Sequence, residues 1–331
     1  MIHPIPPGTR DVLPDEMREL RRLHLALIDV FESRGYGEVA TPAIEYDEVL
    51  ARGDGRTADS AYRFFDERGD LLALRSDMTV PIARLVASRY ANAEPPLRLC
   101  YLANAFRAVR PQRGQMREFA QAGVELIGAP APEGTAEVVE VLEAALDAIG
   151  LERAVIGLGD ADLYRQLLSE LGVEGEARDS VIARLATHDL VGLEAELSEL
   201  EGISEEQCAT CVALSQLRGG REVLEQARGL GGVAVERATA RLQETYDELE
   251  RRGVAERVQI DLGLLQDLGY YSGAILQVYD PALGYVLGSG GRYDGLLQRF
   301  GVEQPAAGFA LYLERVRLAQ IEEERRGREQ R

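Results

Sequence analysis

The sequence has 331 residues, of which 46% are hydrophobic, enough for one large domain or two ordinary ones with a substantial core. Its formal net charge is −19 and its basic residues are all arginines, which argues against a broad nucleic-acid-binding surface because phosphate contacts need clustered positive charge. The sequence lacks both the roughly 18-residue apolar run of a membrane-spanning helix and the apolar core of a secretory signal. We therefore expect a cytoplasmic protein without a membrane segment.

The three cysteines are too few and too unevenly spaced for a disulfide framework. Cys208 and Cys211 have the spacing of half a zinc site, but no second cysteine pair exists and His188 stands upstream without a partner. We therefore expect ordinary thiols and no metal site.

The first half of the sequence alternates helical and extended patterns. An apolar face that recurs every three to four residues predicts a helix over 14–34, with Gly35 as its cap. Strands are predicted over 71–75 and 97–107. A strictly alternating strand follows over 119–127, and a helix then begins at about residue 135 and ends at 149.

The second half contains a long helical stretch between strand-like segments. Residues 175–252 are rich in Glu, Arg, Leu and Ala, and we interpret them as a helical insertion with breaks at glycines. Around it the predicted elements are a strand over 153–159, a helix over 160–171, strands over 257–263, 268–279 and 284–289, a turn at 290–292, and a strand with a final helix over 306–321. The predicted organisation is a core over 1–174 and 253–321, interrupted by the insertion and followed by a charged tail over 322–331.

Two local features indicate a ligand site. Five arginines and no acidic residue lie between Arg98 and Arg117, which favours an anion there. On the alternating strand, Gln121 and Glu125 share a face, about 13 Å apart, with Gly123 between them. The gap over the glycine is wide enough for a small polar ligand, although a solvent-facing edge strand would show the same pattern.

Several segments, taken in order, carry a resemblance to a known family. They cover residues 7–14, 41–45, 74–81, 106–125, 270–273, 290–296 and 308–315. Together they resemble the class II aminoacyl-tRNA synthetases and, among them, histidyl-tRNA synthetase, over about residues 4 to 318. The resemblance implies an α+β fold with a mainly antiparallel sheet flanked by helices, and a dimer interface built at 41–45.

The same resemblance implies a histidine pocket. It places Asp77, Thr79 and Gln121 at the α-ammonium group, and Glu125 with Tyr271 at the imidazole. Three more residues belong to the implied histidine-binding set: Arg107, Tyr270 and Tyr293. Arg107, together with Arg113 and Arg315, also matches positions that face phosphate or ATP. Carboxylates opposite an ammonium and an imidazole are chemically sensible, since both ligand groups donate hydrogen bonds.

The sequence departs from the synthetases at positions that matter for catalysis. Gln266 stands where they carry a catalytic arginine, and a neutral amide cannot stabilise the charge of an adenylation transition state. Tyr312 replaces a glycine in the third motif, and its ring should crowd the ATP site. The sequence also ends soon after this motif, without an anticodon-binding domain, so we expect no tRNA partner.

These departures resemble the family of ATP phosphoribosyltransferase regulatory subunits, which are synthetase-like but not enzymes. The resemblance implies a homodimer within a hetero-octamer, a short-form ATP phosphoribosyltransferase catalytic subunit as partner, L-histidine as effector and no cofactor. Two alternatives stay open. One is a truncated or paralogous synthetase that still activates an amino acid, and the other is a free-standing histidine-binding module.

Overall fold

The computed structural model describes residues 5–53, 61–108, 116–266, 269–281 and 283–329. Its strands are β1 (Gly37–Glu38), β2 (Ile44–Tyr46), β3 (Arg63–Phe65), β4 (Leu71–Leu74), β5 (Leu97–Phe106), β6 (Glu118–Ile127), β7 (Val155–Asp160), β8 (Arg218–Gly219), β9 (Val258–Asp261), β10 (Ala274–Tyr279), β11 (Val286–Arg292) and β12 (Ala306–Tyr312). Its α-helices are α1 (Pro14–Ser33), α2 (Asp47–Gly53), α3 (Thr79–Arg89), α4 (Glu133–Ala148), α5 (Leu163–Glu170), α6 (Gly175–Ala186), α7 (Leu190–Glu199), α8 (Glu205–Gln216), α9 (Glu222–Leu230), α10 (Val233–Arg252) and α11 (Leu313–Glu329). None of these helices is long and apolar enough to cross a membrane.

A nine-stranded sheet forms the centre of the fold, in the order β1-β5-β6-β12-β11-β10-β7-β9-β8. The ladders from β5 through to β7 are antiparallel, and only β1 with β5 and β7 with β9 pair in parallel among the described strands. A second, antiparallel sheet has the order β2-β4-β3. The predicted α+β class with a mainly antiparallel sheet is confirmed.

Helices cover one face of the large sheet, which leaves the other face for polar side chains. The apolar face of α1 is buried as predicted, and its Phe31 packs edge-to-face on Phe309 of β12, with ring centroids 5.9 Å apart. Ala122, Val124 and Leu126 of β6 belong to the same apolar core. Because side chains alternate along a strand, Gln121 and Glu125 must point to the opposite face.

The predicted helical insertion consists of α6 to α10, and its glycine breaks fall between helices. It is closely joined to the rest of the fold. Leucines and valines of these helices lie in the same apolar core as the sheet, and β8, between α8 and α9, pairs with β9 at the sheet edge. Cys208 and Cys211 are buried free thiols on α8.

Two local predictions differ from the structure. The predicted turn at 290–292 is instead the end of β11, which pairs with β10 and β12 on its two sides. A Cβ at Gly290 would lie 2.4 Å from the carbonyl oxygen of Gly308, so glycine is there for close strand approach. The charged residues after 321 extend α11 as far as Glu329.

Candidate ligand-binding site

The polar face of β6 forms the floor of the candidate site. Gln121 and Glu125 are 2% and 1% exposed, so this is not a solvent-facing edge. The gap predicted over Gly123 is not open, because Tyr101, its partner on β5, fills it. A Cβ at Gly123 would lie 2.6 Å from the Tyr101 hydroxyl oxygen.

Glu125 is held deep in the site by hydroxyl groups. Thr79 Oγ1, at the start of α3, donates to Glu125 Oε1 at 2.7 Å, and the Tyr293 hydroxyl donates a short hydrogen bond to Oε2. Gly308 lies opposite Glu125 on β12, and a Cβ there would come within 2.0 Å of Oε2, so the glycine makes room for the carboxylate. Burial raises the pKa of Glu125 to about 8, and the charge of Asp77 adds to this, against the two hydrogen bonds.

Three tyrosines form the wall opposite the sheet. Tyr270 and Tyr271 lie just before β10 with ring centroids 4.9 Å apart, and Tyr270 packs edge-on against Tyr293 at 6.0 Å. The Tyr270 hydroxyl is also hydrogen-bonded to the side chain of Thr79. All three rings are buried, so the wall is dry and aromatic.

Two further acceptors face the same space. Asp77 is buried, and its Oδ1 accepts a hydrogen bond from the backbone N–H of Val80 at 3.2 Å. Gln121 Oε1 is buried without a hydrogen-bond partner among the described residues. A buried acceptor without a donor costs roughly 1–3 kcal/mol, so the site favours a ligand that donates a hydrogen bond.

The predicted residues surround one small pocket of about 20 Å³. Seven of the eight line it: Asp77, Thr79, Arg107, Gln121, Tyr270, Tyr271 and Tyr293. The eighth, Glu125, is bonded to Thr79 and Tyr293 behind them. A volume of 20 Å³ holds about one water molecule, so a larger ligand requires one wall to move.

A larger cavity of about 480 Å³ lies beyond Tyr312. Arg107, Phe119, Tyr312 and Arg315 line it, and Arg107 and Tyr312 line the small pocket as well. The Arg107 guanidinium lies over the Phe119 ring at 5.1 Å, and its Nε donates to the carbonyl oxygen of Ser76 at 3.3 Å. Tyr312 therefore occupies the boundary between the two cavities and leaves most of the large one open, in contrast to the expected crowding.

The residue at the position of the catalytic arginine is bonded to the sheet backbone. Gln266 Nε2 donates to the carbonyl oxygens of Leu276 at 2.5 Å and Gly290 at 3.1 Å, which are paired residues of β10 and β11. A neutral amide in this position cross-links two strands and supplies no positive charge to the site.

The arginines of the predicted cationic stretch do not act together. Arg98 forms a two-bond ion pair with Glu137 of α4, at 2.6 and 3.0 Å, and supports the helix face. Arg107 alone reaches the small pocket among the described arginines of this stretch. Arg110 and Arg113 lie outside the described residues. Arg315 Nη1 donates to the carbonyl oxygen of Val286 at 2.8 Å, and burial lowers its pKa.

Comparisons with known proteins place this geometry in a family. The histidyl-tRNA synthetase family matches residues 8–316. An ATP phosphoribosyltransferase regulatory subunit from Moorella thermoacetica is 42% identical over 322 residues, which covers 96% of this chain and 82% of that protein. A solved ATP phosphoribosyltransferase regulatory subunit/histidyl-tRNA synthetase from Bacillus halodurans is 33% identical with a TM-score of 0.87, over 96% of this chain and 83% of that one.

A second solved structure bears a different name. The histidine–tRNA ligase subunit from Alicyclobacillus acidocaldarius is 28% identical with a TM-score of 0.85, and the match covers 98% of this chain and 99% of that one. Both structures share the synthetase fold described above, and the regulatory-subunit relatives are the more similar in sequence. The chain therefore belongs to the family of ATP phosphoribosyltransferase regulatory subunits, which has the fold of histidyl-tRNA synthetase.

Proposed function

We propose that this chain binds L-histidine in the small pocket and conveys feedback inhibition to a short-form ATP phosphoribosyltransferase catalytic subunit, which it also activates. The observation that carries the proposal is the set of buried acceptors at one pocket: Asp77, Gln121 and Glu125. Such a set, enclosed by tyrosines, suits a small ligand with two separate donor groups. The family membership supplies the pathway, since the catalytic partner begins histidine biosynthesis.

The three functional groups of histidine each have a matching residue. Asp77 and the unpartnered Gln121 Oε1 would accept from the α-ammonium group, and Glu125 with Tyr271 would receive the imidazole. Arg107, at the boundary of the pocket, is the cation that would pair with the α-carboxylate, in place of the arginine replaced by Gln266. A cationic ligand would also stabilise Glu125 in its ionised form.

The assembly we propose is a homodimer within a hetero-octamer, in the cytoplasm and without tRNA or a cofactor. Exposed apolar side chains on the outer face of the small sheet support the dimer. Ile44 and Tyr46 of β2 are 46% and 52% exposed, and Phe64 of β3 shares their face through β4. Monomeric proteins rarely expose such a contiguous patch. A Tyr46→Asp variant should sediment as a smaller species than the unsubstituted chain.

A synthetase paralogue that activates an amino acid is the second candidate, and one observation favours it. The 480 Å³ cavity retains Arg107 and Arg315 and is large enough for a nucleotide-sized ligand. Gln266 speaks against it, because a neutral side chain bonded to the sheet provides no charge for an adenylation transition state. ATP–pyrophosphate exchange with histidine separates the two candidates, since turnover would favour the synthetase.

Calorimetric titration of L-histidine, first into the chain alone and then into its complex with the catalytic subunit, tests the proposal. We expect saturable binding in both cases. Histidinol, which lacks the carboxylate, should bind more weakly because Arg107 loses its partner. The absence of a binding isotherm in the complex would reject the histidine pocket.

A further inference from the structure

Residues 270–273 form a thin wall between two cavities. On one side, Tyr270 and Tyr271 line the small pocket of about 20 Å³. On the other side, Ser272 and Gly273 line a third cavity of about 220 Å³, whose far wall includes α10. The wall therefore has open space behind it on the side of the helical insertion.

This wall is held more weakly than the sheet that faces it. Four backbone groups tie it to its surroundings: the Tyr271 carbonyl to Arg165 Nη2 at 3.0 Å, the Ser272 N–H to the Arg292 carbonyl at 2.8 Å, the Gly273 N–H to Asp162 Oδ2 at 3.2 Å, and the Gly273 carbonyl to the Ala161 N–H at 2.7 Å. In contrast, β6 and β12 have ladder hydrogen bonds to a strand on each side. Residues 270–273 are thus the wall that can move to enlarge the pocket.

An ion pair from the insertion stands directly behind this wall. Arg241 of α10 donates to both carboxylate oxygens of Asp160, at 2.8 Å each, and the Asp160 side chain is fully buried at the end of β7. Asp160 Oδ1 also accepts from the backbone N–H of Asp162 at 3.0 Å. Asp162 in turn accepts from Gly273, so a continuous chain of hydrogen bonds joins α10 to the wall.

We propose that Arg241 is a positioning residue of the small pocket, which acts through Asp160 and Asp162 to set the position of residues 270–273. A ligand larger than one water must displace this wall toward the third cavity, and the ion pair transmits that displacement to α10. The insertion thereby responds to the state of the pocket without touching the ligand. The identity of that ligand as L-histidine rests on the proposed function.

The test compares Arg241→Gln with Arg237→Gln, a matched control on an exposed position one turn earlier in the same helix. Backbone amide exchange of residues 272–274 is measured on the ligand-free chain, and L-histidine affinity is measured by calorimetry. We expect exchange about tenfold faster and affinity about fivefold weaker in Arg241→Gln, in the usual range of coupling between sites. Arg241→Lys, which keeps the charge, should recover part of both effects, whereas Arg237→Gln should change neither.

The proposal is overturned if Arg241→Gln folds and its exchange at 272–274 equals that of the control. Should that variant not fold, Asp160→Asn removes the charge with little change of shape and is judged by the same criterion. The exchange measurement needs no ligand, so it decides the coupling even if the unsubstituted chain does not bind histidine. That last result would reject the proposed function alone.

Discussion

The ring of Tyr312 lies between the ring of Phe119, whose centroid is 5.7 Å away in an edge-on arrangement, and the guanidinium carbon of Arg315, 4.8 Å from the Tyr312 centroid. Its hydroxyl is hydrogen-bonded to Ser289 Oγ at 3.2 Å, which fixes the ring at the boundary of the two cavities. A ligand in the large cavity therefore meets an aromatic ring where a glycine would leave a direct path to the small pocket.

Gln266→Arg alone should not create adenylation activity. Tyr312 still separates the two cavities, and the new side chain would replace an amide that is bonded to the carbonyl oxygens of β10 and β11. ATP–pyrophosphate exchange with histidine should stay at background in this variant. The double variant with Tyr312→Gly is the comparison, and clear exchange in the single variant would contradict the role of the ring as a barrier.

The location of the site follows from sequence patterns that act over short distances. Alternation along residues 119–127 correctly separates the core face of β6 from the face that carries Gln121 and Glu125. The resemblance to histidyl-tRNA synthetase adds the residues from distant segments, and seven of the eight line one pocket. Alternation alone could not do this, because it contains no information about which strands pair.

The features that sequence patterns miss depend on register and packing. Tyr101 fills the space over Gly123 only because these two residues are paired in the β5–β6 ladder. The bond between Arg241 and Asp160 joins residues 81 apart in sequence, and no local pattern marks it. The small volume of the pocket depends likewise on how the rings of Tyr270, Tyr271 and Tyr293 pack.

Gln121→Leu should separate ligand binding from stability. In the ligand-free chain it removes a buried acceptor without a described partner, so the free energy of unfolding should stay equal or rise by about 1 kcal/mol. Histidine affinity should fall at least about fivefold, because the α-ammonium group loses an acceptor. Urea unfolding and calorimetry measure the two effects. Gln226→Leu, at an exposed position on α9, is the control, and undiminished affinity in Gln121→Leu would count against the assigned role.

Glu125 should make the stability of the ligand-free chain depend on pH. Its folded pKa of about 8 lies above the ordinary value of 4.5, so the folded state binds more protons than the unfolded state between these values. This contribution to stability is complete below about pH 4.5 and is lost as the pH rises toward 8, with a slope of at most about 1.4 kcal/mol per pH unit. Glu125→Gln should therefore gain stability relative to the unsubstituted chain between about pH 6 and 8. A stability difference that stays constant over this range in urea unfolding would be inconsistent with the raised pKa.

Glu125→Gln should also relieve feedback inhibition while it leaves activation intact. The amide keeps the shape of the carboxyl group but cannot balance a cationic imidazole or accept from two donors in the same way, which costs roughly 1–3 kcal/mol of histidine binding. The catalytic subunit, mixed with this variant, should need about tenfold or more histidine for half-inhibition. Its activity without histidine should match that with the unsubstituted chain.

Glu118→Gln is the matched control for this experiment, because Glu118 lies on the same strand but is exposed and accepts from Asn104 Nδ2 at 3.0 Å. It removes the same charge outside the pocket, so inhibition should be unchanged. A loss of activation in Glu125→Gln would mean that the substitution disturbs the assembly, since Glu125 is buried behind Thr79 and Tyr293 and reaches no outer surface. Inhibition that persists at the same histidine concentration in a fully activating Glu125→Gln complex would place the sensing site elsewhere on the molecule.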